Sequence, residues 1–186
     1  VSRTGKRNCA RVVKRLGLLR HAKSDLDDAA LRDFDRGLND RGRRGAALIG
    51  RHIAEQGIDW EAAIASPAMR VRRTLEASGL PVTPQFDDRV ELADAATLID
   101  LLRHVEGDPA SVLLVGHNPG LHELVFRLVD PDCETALFAR AAEKFPTAAF
   151  AVLELAIGAW AEVAPGCASL VQFIRPRDLD PELGPE

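Results

Sequence analysis

Short apolar runs alternate with amphipathic stretches along this chain. The first apolar run covers residues 12–19. Apolar residues at helical spacing follow over 39–56, and Gly57 ends that pattern. Two more apolar runs, 60–65 and 111–115, have the length of buried strands. The pattern therefore predicts strands over the three runs and a helix over 39–56.

Local start signals predict three more helices. Ser66 is a good N-cap and Pro67 suits the first helical position, so a helix is expected from Ser66 to about residue 77. A further helical pattern covers 95–105, and Pro119 begins another helix after the run 111–115.

The C-terminal third contains two β-rich runs, 148–155 and 167–174, separated by a turn-like region around 160–166. Because few residues separate them, these two strands can pair antiparallel. The earlier strands alternate with helices, which indicates a mainly parallel sheet covered on both faces. We therefore expect an α/β fold, a single three-layer domain with helices on both faces of a mainly parallel central sheet.

Composition is that of an ordinary globular protein. The 186 residues are 46% hydrophobic and 28% charged, which favours one domain with a substantial core. A net charge of −4 gives no reason to expect a nucleic-acid partner. The longest apolar region, 148–164, is interrupted by Glu154 and Glu162, so no membrane partner is expected.

The domain is expected to cover 12–175, with a flexible basic extension over 1–11 and a loosely ordered, proline-rich tail over 176–186. The start of the chain has no apolar stretch of signal-peptide length. Cys9, Cys133 and Cys167 form no CxxC pair, so neither a zinc site nor a disulfide framework is indicated. A cytoplasmic location follows as the expectation.

Basic side chains follow each of the three apolar runs. Arg20 and His21 end the first, Arg70 lies one turn into the helix after the second, and His117 follows the third. In an open α/β sheet, ligands bind outside the carboxyl ends of the strands. Two imidazoles and two guanidiniums at one edge would form a cationic pocket for a phosphoryl group.

Each of these features also has a structural interpretation. An isolated Arg20-His21 pair can simply be a solvated strand end, and Arg70 lies in a run of arginines that can be a solvated helix face. His117 can belong to a turn with Asn118 and Pro119. Their agreement on one sheet edge favours a site.

The residue types in this pocket leave two candidate nucleophiles, His21 and His117. No serine stands in a G-x-S-x-G elbow, and no cysteine lies beside a base in the sequence. An imidazole attacks only when neutral, and nearby arginine charges lower its pKa.

Metal chemistry is a weaker alternative. The chain has no HExxH, no GxxxxGK[ST] loop and no GxGxxG after a strand. Two acidic groups, Asp25 with Asp27 and Asp28, and Asp33 with Asp35, could in principle hold Mg²⁺, but they lack EF-hand spacing. No metal site and no cofactor is expected.

Four segments, taken in order, resemble the motifs of the histidine phosphatase superfamily. Arg20-His21 is similar to its Arg-His-Gly signature, and 38–42 is similar to its Leu-Thr-x-x-Gly helix start. Ser66-Pro67-x-x-Arg70 with Thr74, and then 115–118, resemble its later motifs. The resemblance spans about 16–128 and is strongest to the short SixA-type phosphohistidine phosphatases.

The resemblance implies a phosphoglycerate-mutase-like fold without a large cap, and a phosphohistidine intermediate. His21 would be the nucleophile, Arg20 and Arg70 the phosphate clamps, and His117 the second imidazole of the pocket. Ser24 and Asn118 are possible further phosphate-binding residues.

Two positions depart from the family pattern. Ala22 replaces the signature glycine, which requires that this residue keep a negative φ. The general acid of larger members has its counterpart near Glu91, with Asp94 as a neighbour; Glu91 can equally be a capping carboxylate. A phosphohistidine substrate needs less acid assistance, because its nitrogen leaving group departs more easily than an alkoxide.

Three functions follow from the sequence. The first is metal-independent dephosphorylation of phosphohistidine on a phosphotransfer protein. The second is a general phosphomonoesterase for a small phosphorylated metabolite, and the third is a non-catalytic phosphate-binding module. The complete set of Arg20, His21, Arg70 and His117 argues against the third.

Overall fold

The computed structural model describes residues 14–25 and 33–184. The predicted basic extension over 1–11, the first two residues of the run 12–19, and Asp27 and Asp28 of the acidic group lie outside these ranges. So do the last two residues of the predicted tail.

One sheet of six strands lies at the centre of the described fold, in the order β3-β2-β4-β1-β5-β6. Neighbouring strands from β3 to β1 pair in parallel, and β5 pairs antiparallel with both β1 and β6. The predicted mainly parallel sheet and its antiparallel C-terminal pair are confirmed. The strands are β1 (Lys14–Arg20), β2 (Ala62–Ala65), β3 (Pro84–Phe86), β4 (Ser111–Gly116), β5 (Phe150–Leu155) and β6 (Ala168–Ile174).

Helices cover both faces of the sheet, which gives the three predicted layers. On one face Ile49 and Val71 pack with Leu113 of β4, and on the other Leu98 and Leu124 pack with Leu114. Alternate residues of one strand thus enter opposite cores. The helices are α1 (Asp40–Glu55) and α2 (Met69–Ser78) on the first face, α3 (Ala95–Arg103), α4 (Gly120–Leu128) and α5 (Ala136–Glu143) on the second, and the short α6 (Pro176–Leu179).

The start of α1 agrees with the prediction and the start of α2 does not. The side chain of Asn39 caps α1 by accepting a hydrogen bond from the Gly42 N–H at 2.8 Å. Helix α2 begins at Met69, and its N-cap is Ala68 rather than Ser66. The Ser66 hydroxyl instead accepts from the Ala68 N–H at 3.2 Å and contacts His117. The predicted helix start at Ser66 is therefore wrong because that side chain has a tertiary partner.

Two elements have no counterpart in the sequence prediction. Strand β3 has three residues and begins with Pro84 at the edge of the sheet, where a missing N–H is tolerated. Helix α5 has eight residues and is capped by Thr135, whose hydroxyl accepts from the Phe138 N–H at 3.3 Å. Both are too short to produce a clear periodic signal.

The predicted loose tail is ordered as far as residue 184. Helix α6 is followed by a 3-10 turn, Pro181–Leu183, and Leu183 is buried. Arg44 of α1 pairs with Asp180 and Glu182, at 3.3 Å in each case. Pro176 and Pro181 thus begin helical turns in the segment after 175.

The cysteines also differ from expectation. Cys133 is disulfide-bonded, whereas Cys167 is a free, partly buried thiol. The cysteines therefore do not support the predicted cytoplasmic location. No helix in the described ranges has the length and apolar character needed to span a membrane.

Close packing of α1 on α2 depends on Gly50. A Cβ at this position would overlap the main-chain carbonyl of Ser78. We predict that Gly50→Ala lowers the free energy of unfolding by about 1–3 kcal/mol, the usual cost of overpacking. Urea denaturation measures this change in the free energy of unfolding. The matched control is Gly37→Ala, because a Cβ there meets nothing within 4 Å. Equal stabilities of the two variants would contradict this account of the helix contact.

Candidate active site

His21 is the first residue after β1, and its main chain is held on both sides. Its N–H donates to the Gly116 carbonyl at 3.0 Å, and its carbonyl accepts from the Ala148 N–H at 3.0 Å. Its side chain is buried, with 8% of the residue exposed. The central position of β1 thus places the imidazole at the carboxyl edge of the sheet.

One ring nitrogen of His21 has its proton assigned by a hydrogen bond. Nδ1 lies 2.8 Å from the carbonyl oxygen of Ala22. A carbonyl only accepts, so Nδ1 carries the proton in the neutral ring. The lone pair of neutral His21 is therefore on Nε2, which is the tautomer required of a nucleophile at that atom.

The loop after His21 is tied to helix α2 through Thr74. The Ala22 N–H donates to Thr74 Oγ1 at 2.9 Å, and this buried hydroxyl donates to the Arg70 carbonyl at 2.6 Å. Positive φ among the described non-glycine residues occurs at Asp108 and Ala148, and not at Ala22. The backbone at Ala22 thus accepts a side chain where the family signature has glycine.

His117 lies at the end of β4 and contacts Arg70 and Ser66. Arg70 Nε donates to His117 Nδ1 at 3.2 Å, so in the neutral ring the proton is on Nε2. That nitrogen lies 2.7 Å from Ser66 Oγ, to which it donates. The ring centroids of His117 and His21 are 5.1 Å apart. Three of the four predicted site residues therefore meet here, as the strand ends indicated.

Electrostatics keep His117 neutral. Burial, followed by repulsion from His21, Arg70 and Arg20, lowers the pKa of His117 to about 3. The proton is unfavourable there because the ring is taken from water and placed among cationic groups. Arg70 itself is buried, so its positive charge acts on the pocket with little screening.

Arg20 is positioned by the segment that leads into β5, for which no site role was predicted. Its Nη1 donates to the Phe145 carbonyl at 3.0 Å, and the Asn118 side-chain amide donates to the same carbonyl at 2.8 Å. Ala148, in the same segment, has a φ of 56° and donates to His21. The residues before β5 therefore support the pocket through their main chain.

The remaining predicted site residues lie around this pocket. The Asn118 side-chain amide donates to the Phe145 carbonyl. Ser24 forms an isolated β-bridge with Leu38 in the loop leading to α1. Glu91 is the C-cap residue of a 3-10 turn, Asp88–Val90, which lies close to the end of β4. Its neighbour Asp94 caps α3 by accepting from the Thr97 N–H at 2.8 Å.

The other histidines lie apart from this pocket. His52 is in α1 and pairs with Gln172, His104 is the exposed C-cap of α3, and His122 contacts main-chain carbonyls of α5. Within 14–25 and 33–184, no three His, Cys, Asp or Glu side chains form a group able to hold a metal ion. The acidic group at Asp27 and Asp28 is outside these ranges.

Comparison with known proteins gives consistent relatives. A model of the histidine phosphatase superfamily (branch 1) matches residues 16–95. An uncharacterized protein of Mycobacterium tuberculosis is 38% identical over 160 residues, which is 86% of this chain and 100% of that protein. A solved candidate phosphohistidine phosphatase SixA from Nakamurella multipartitia is 28% identical, with a TM-score of 0.76 over 88% of this chain and 96% of that one. Its counterpart from Agrobacterium tumefaciens is 30% identical, with a TM-score of 0.73 over 88% and 99%.

The low pKa of His117 should make folding stability depend on pH. Between pH about 3 and about 6.5 the unfolded chain binds a proton at His117 that the folded chain does not, so folding stability falls as the pH is lowered through this window. We predict that the free energy of unfolding of His117→Gln depends less steeply on pH than that of the wild type, by up to about 1.4 kcal/mol per pH unit. The measurement is urea denaturation at several pH values from 4.5 to 6.5.

The control for this experiment is His104→Gln, which removes an exposed histidine instead. Its slope of stability against pH in the same window should match that of the wild type. If stability depends on pH equally in His117→Gln and in the wild type, His117 binds its proton equally in the folded and the unfolded chain.

Proposed function

Because this chain belongs to the histidine phosphatase superfamily (branch 1) and is a phosphatase of the hydrolase class, we propose that it dephosphorylates phosphohistidine on a protein through a phosphohistidine intermediate at His21. The observation that carries the proposal is the His21 ring, whose Nδ1 bonds to the Ala22 carbonyl so that the lone pair of the neutral ring is on Nε2, beside a second imidazole 5.1 Å away.

The charges of the pocket suit a phosphoryl group. Arg20 and Arg70 provide two permanent positive charges, and forked guanidiniums match the oxygens of phosphate. Arg70 Nε also donates to His117 Nδ1. Burial, and after it the neighbouring cationic groups, lower the pKa of His117. A bound dianion would offset the second of these causes and so favour a proton on the ring, which could then donate to a phosphoryl oxygen.

The first chemical step forms one bond and breaks one. The lone pair of His21 Nε2 attacks phosphorus, and the bond between phosphorus and the substrate nitrogen breaks with its electron pair going to that nitrogen. The proton on Nδ1 stays on His21, where the Ala22 carbonyl stabilises the positive charge of the phosphorylated ring. Arg20 and Arg70 bind the oxygens as the transferred group loosens.

The second step restores the enzyme. A water oxygen attacks phosphorus, the bond to Nε2 breaks, and its electron pair returns to His21. Orthophosphate leaves and the proton of the attacking water goes to solvent or to the product. The net reaction is hydrolysis of phosphohistidine to histidine and phosphate.

Two features support a protein substrate. The connections from β2 to α2 and from β4 to α4 consist only of 66–68 and 117–119, so neither carries an inserted cap over the pocket. The two relatives described above as SixA proteins are candidate phosphohistidine phosphatases.

The central test is to trap the intermediate and rank substrates with EDTA present. We expect acid-labile, base-stable phosphate on the wild-type protein, and its loss with at least about a 10³-fold drop in turnover in His21→Ala. A phosphohistidine peptide should turn over faster than p-nitrophenyl phosphate and sugar phosphates. His122→Gln is the matched control, because that histidine contacts main-chain carbonyls of α5.

Each part of the proposal fails on a different result. Full activity of His21→Ala would exclude His21 as the nucleophile. Faster turnover of phosphate esters than of phosphohistidine would favour the phosphomonoesterase for a small metabolite. Activity that disappears with EDTA would exclude a metal-independent reaction, and absence of turnover for every substrate would favour the non-catalytic module.

Glu91 distinguishes the two leaving groups. If it acts as a general acid, Glu91→Gln should lower turnover of an alkyl phosphate by about 10²-fold or more, because an alkoxide needs a proton to leave. Turnover of phosphohistidine should change by less than about 3-fold. Steady-state kinetics of both substrates measure this, with Glu76→Gln on the exposed side of α2 as the control. Equal loss for both substrates would contradict this division of roles.

A further inference from the structure

The hydroxyl of Ser66 contacts a pocket imidazole from a fully buried position. Ser66 is the first residue after β2, and its N–H donates to the Val115 carbonyl of β4 at 3.0 Å. The exposed fraction of the residue is 0%. His117 comes shortly after Val115 at the end of the same strand, so the pairing of β2 with β4 brings the serine beside that ring.

The Ser66 side chain is fixed by the turn that it begins. Its Oγ accepts from the Ala68 N–H at 3.2 Å, a local bond that serine forms readily with the main chain two positions ahead. The turn is held in addition by Arg72, whose Nε donates to the Pro67 carbonyl at 2.8 Å. The hydroxyl oxygen therefore meets His117 from a defined position.

A chain of hydrogen bonds runs from Arg70 through the His117 ring to Ser66. Arg70 Nε donates to Nδ1 at 3.2 Å, and Nε2 donates to Ser66 Oγ at 2.7 Å. A guanidinium only donates, so Nδ1 of the neutral ring must provide the lone pair. The serine is thus the acceptor that allows the ring to carry its proton on Nε2.

A serine this close to an imidazole also resembles a nucleophile with its general base, but the hydrogen bonds exclude that arrangement. A general base for Ser66 would need its lone pair on Nε2, the nitrogen that faces the hydroxyl. Because Arg70 donates to Nδ1, the lone pair of the neutral ring is on Nδ1 instead. Ser66 accepts a proton from His117 in this bond and does not lose one to it.

We propose that Ser66 is a positioning residue that fixes the tautomer of His117 and, through the ring, the place of Arg70. Without the hydroxyl, the Nε2–H would be a buried donor that has lost its acceptor, which favours the tautomer with the proton on Nδ1. An Nδ1–H would face the Arg70 Nε–H, donor against donor, and would displace the guanidinium. The effect on turnover rests on the proposed function, whereas the tautomer does not.

The first test is ¹⁵N NMR of protein labelled at histidine, at about pH 7, because protonated and unprotonated ring nitrogens give well-separated signals. The signals of His117 are those that His117→Gln lacks. We expect the wild-type ring to carry its proton on Nε2 and none on Nδ1. A wild-type ring with a proton on Nδ1, or on both nitrogens, would overturn the proposal without any substitution at Ser66.

The second test compares Ser66→Ala with Ser66→Thr. In Ser66→Ala we expect an Nδ1–H signal and a dissociation constant for inorganic phosphate, measured by isothermal titration calorimetry, at least about 10-fold higher. Turnover of a phosphohistidine peptide should fall by a similar factor. Ser66→Thr keeps the hydroxyl, so it should keep the proton on Nε2 and bind phosphate within about 3-fold of the wild type.

The matched control is Ser78→Ala. Ser78 is also a buried serine, and its hydroxyl donates to the Leu75 carbonyl of its own helix, α2, at 2.8 Å. Its replacement removes a buried hydroxyl without touching the chain from Arg70 to Ser66. The His117 tautomer should therefore stay the same, and phosphate affinity should change by less than about 2-fold.

Two further results overturn the proposal. One is an unchanged tautomer and phosphate affinity in folded Ser66→Ala; the other is equal loss of affinity in folded Ser66→Thr, which assigns the effect to packing instead of the hydroxyl. Thermal unfolding verifies that each variant is folded, and the wild-type spectrum decides if Ser66→Ala is not. An inactive wild type with Nε2 protonated and phosphate bound would contradict only the proposed function. Normal turnover in Ser66→Ala with the wild-type tautomer would contradict only this inference.

Discussion

The main-chain clamp on His21 is the constraint on which the rest of the site depends. Its N–H is held by the Gly116 carbonyl and its carbonyl by the Ala148 N–H, so neither neighbouring strand can move without moving the imidazole. The same link joins His21 to His117, since Gly116 directly precedes it in β4. The 5.1 Å separation of the two rings is therefore set by the pairing of β1 with β4. Catalytic geometry here is a consequence of sheet register.

Much of this arrangement could be predicted from sequence because it follows from topology. Apolar runs that alternate with helices indicate parallel strands, and parallel strands bring their carboxyl ends to one edge. Arg20, His21 and His117 each follow such a run, and Arg70 is one turn beyond, so their meeting needed no knowledge of side-chain contacts. The correct prediction that the last two strands are antiparallel has the same origin, because too few residues separate them for a crossover.

The errors concern contacts between residues distant in sequence. Ser66 was predicted to cap a helix, but its hydroxyl bonds to His117, 51 positions away. Arg20 is held by Phe145, 125 positions away, and no local pattern marks that carbonyl. Short elements such as β3 and α5 were missed because three or eight residues give little periodicity. The side chains that meet at the sheet edge were therefore predicted from the sequence, whereas the residues that position them were not.

The positioning contacts carry a cost that only function explains. Burying the charge of Arg70 beside two imidazoles costs desolvation free energy, which disfavours the folded state. A protein selected for stability alone would replace such a cluster by apolar side chains of similar volume. Arg70 and Ser66 share the two nitrogens of His117, which satisfies the ring without neutralising the pocket. The positive potential is thereby kept for a phosphoryl group, and it attracts that group before any bond is made or broken.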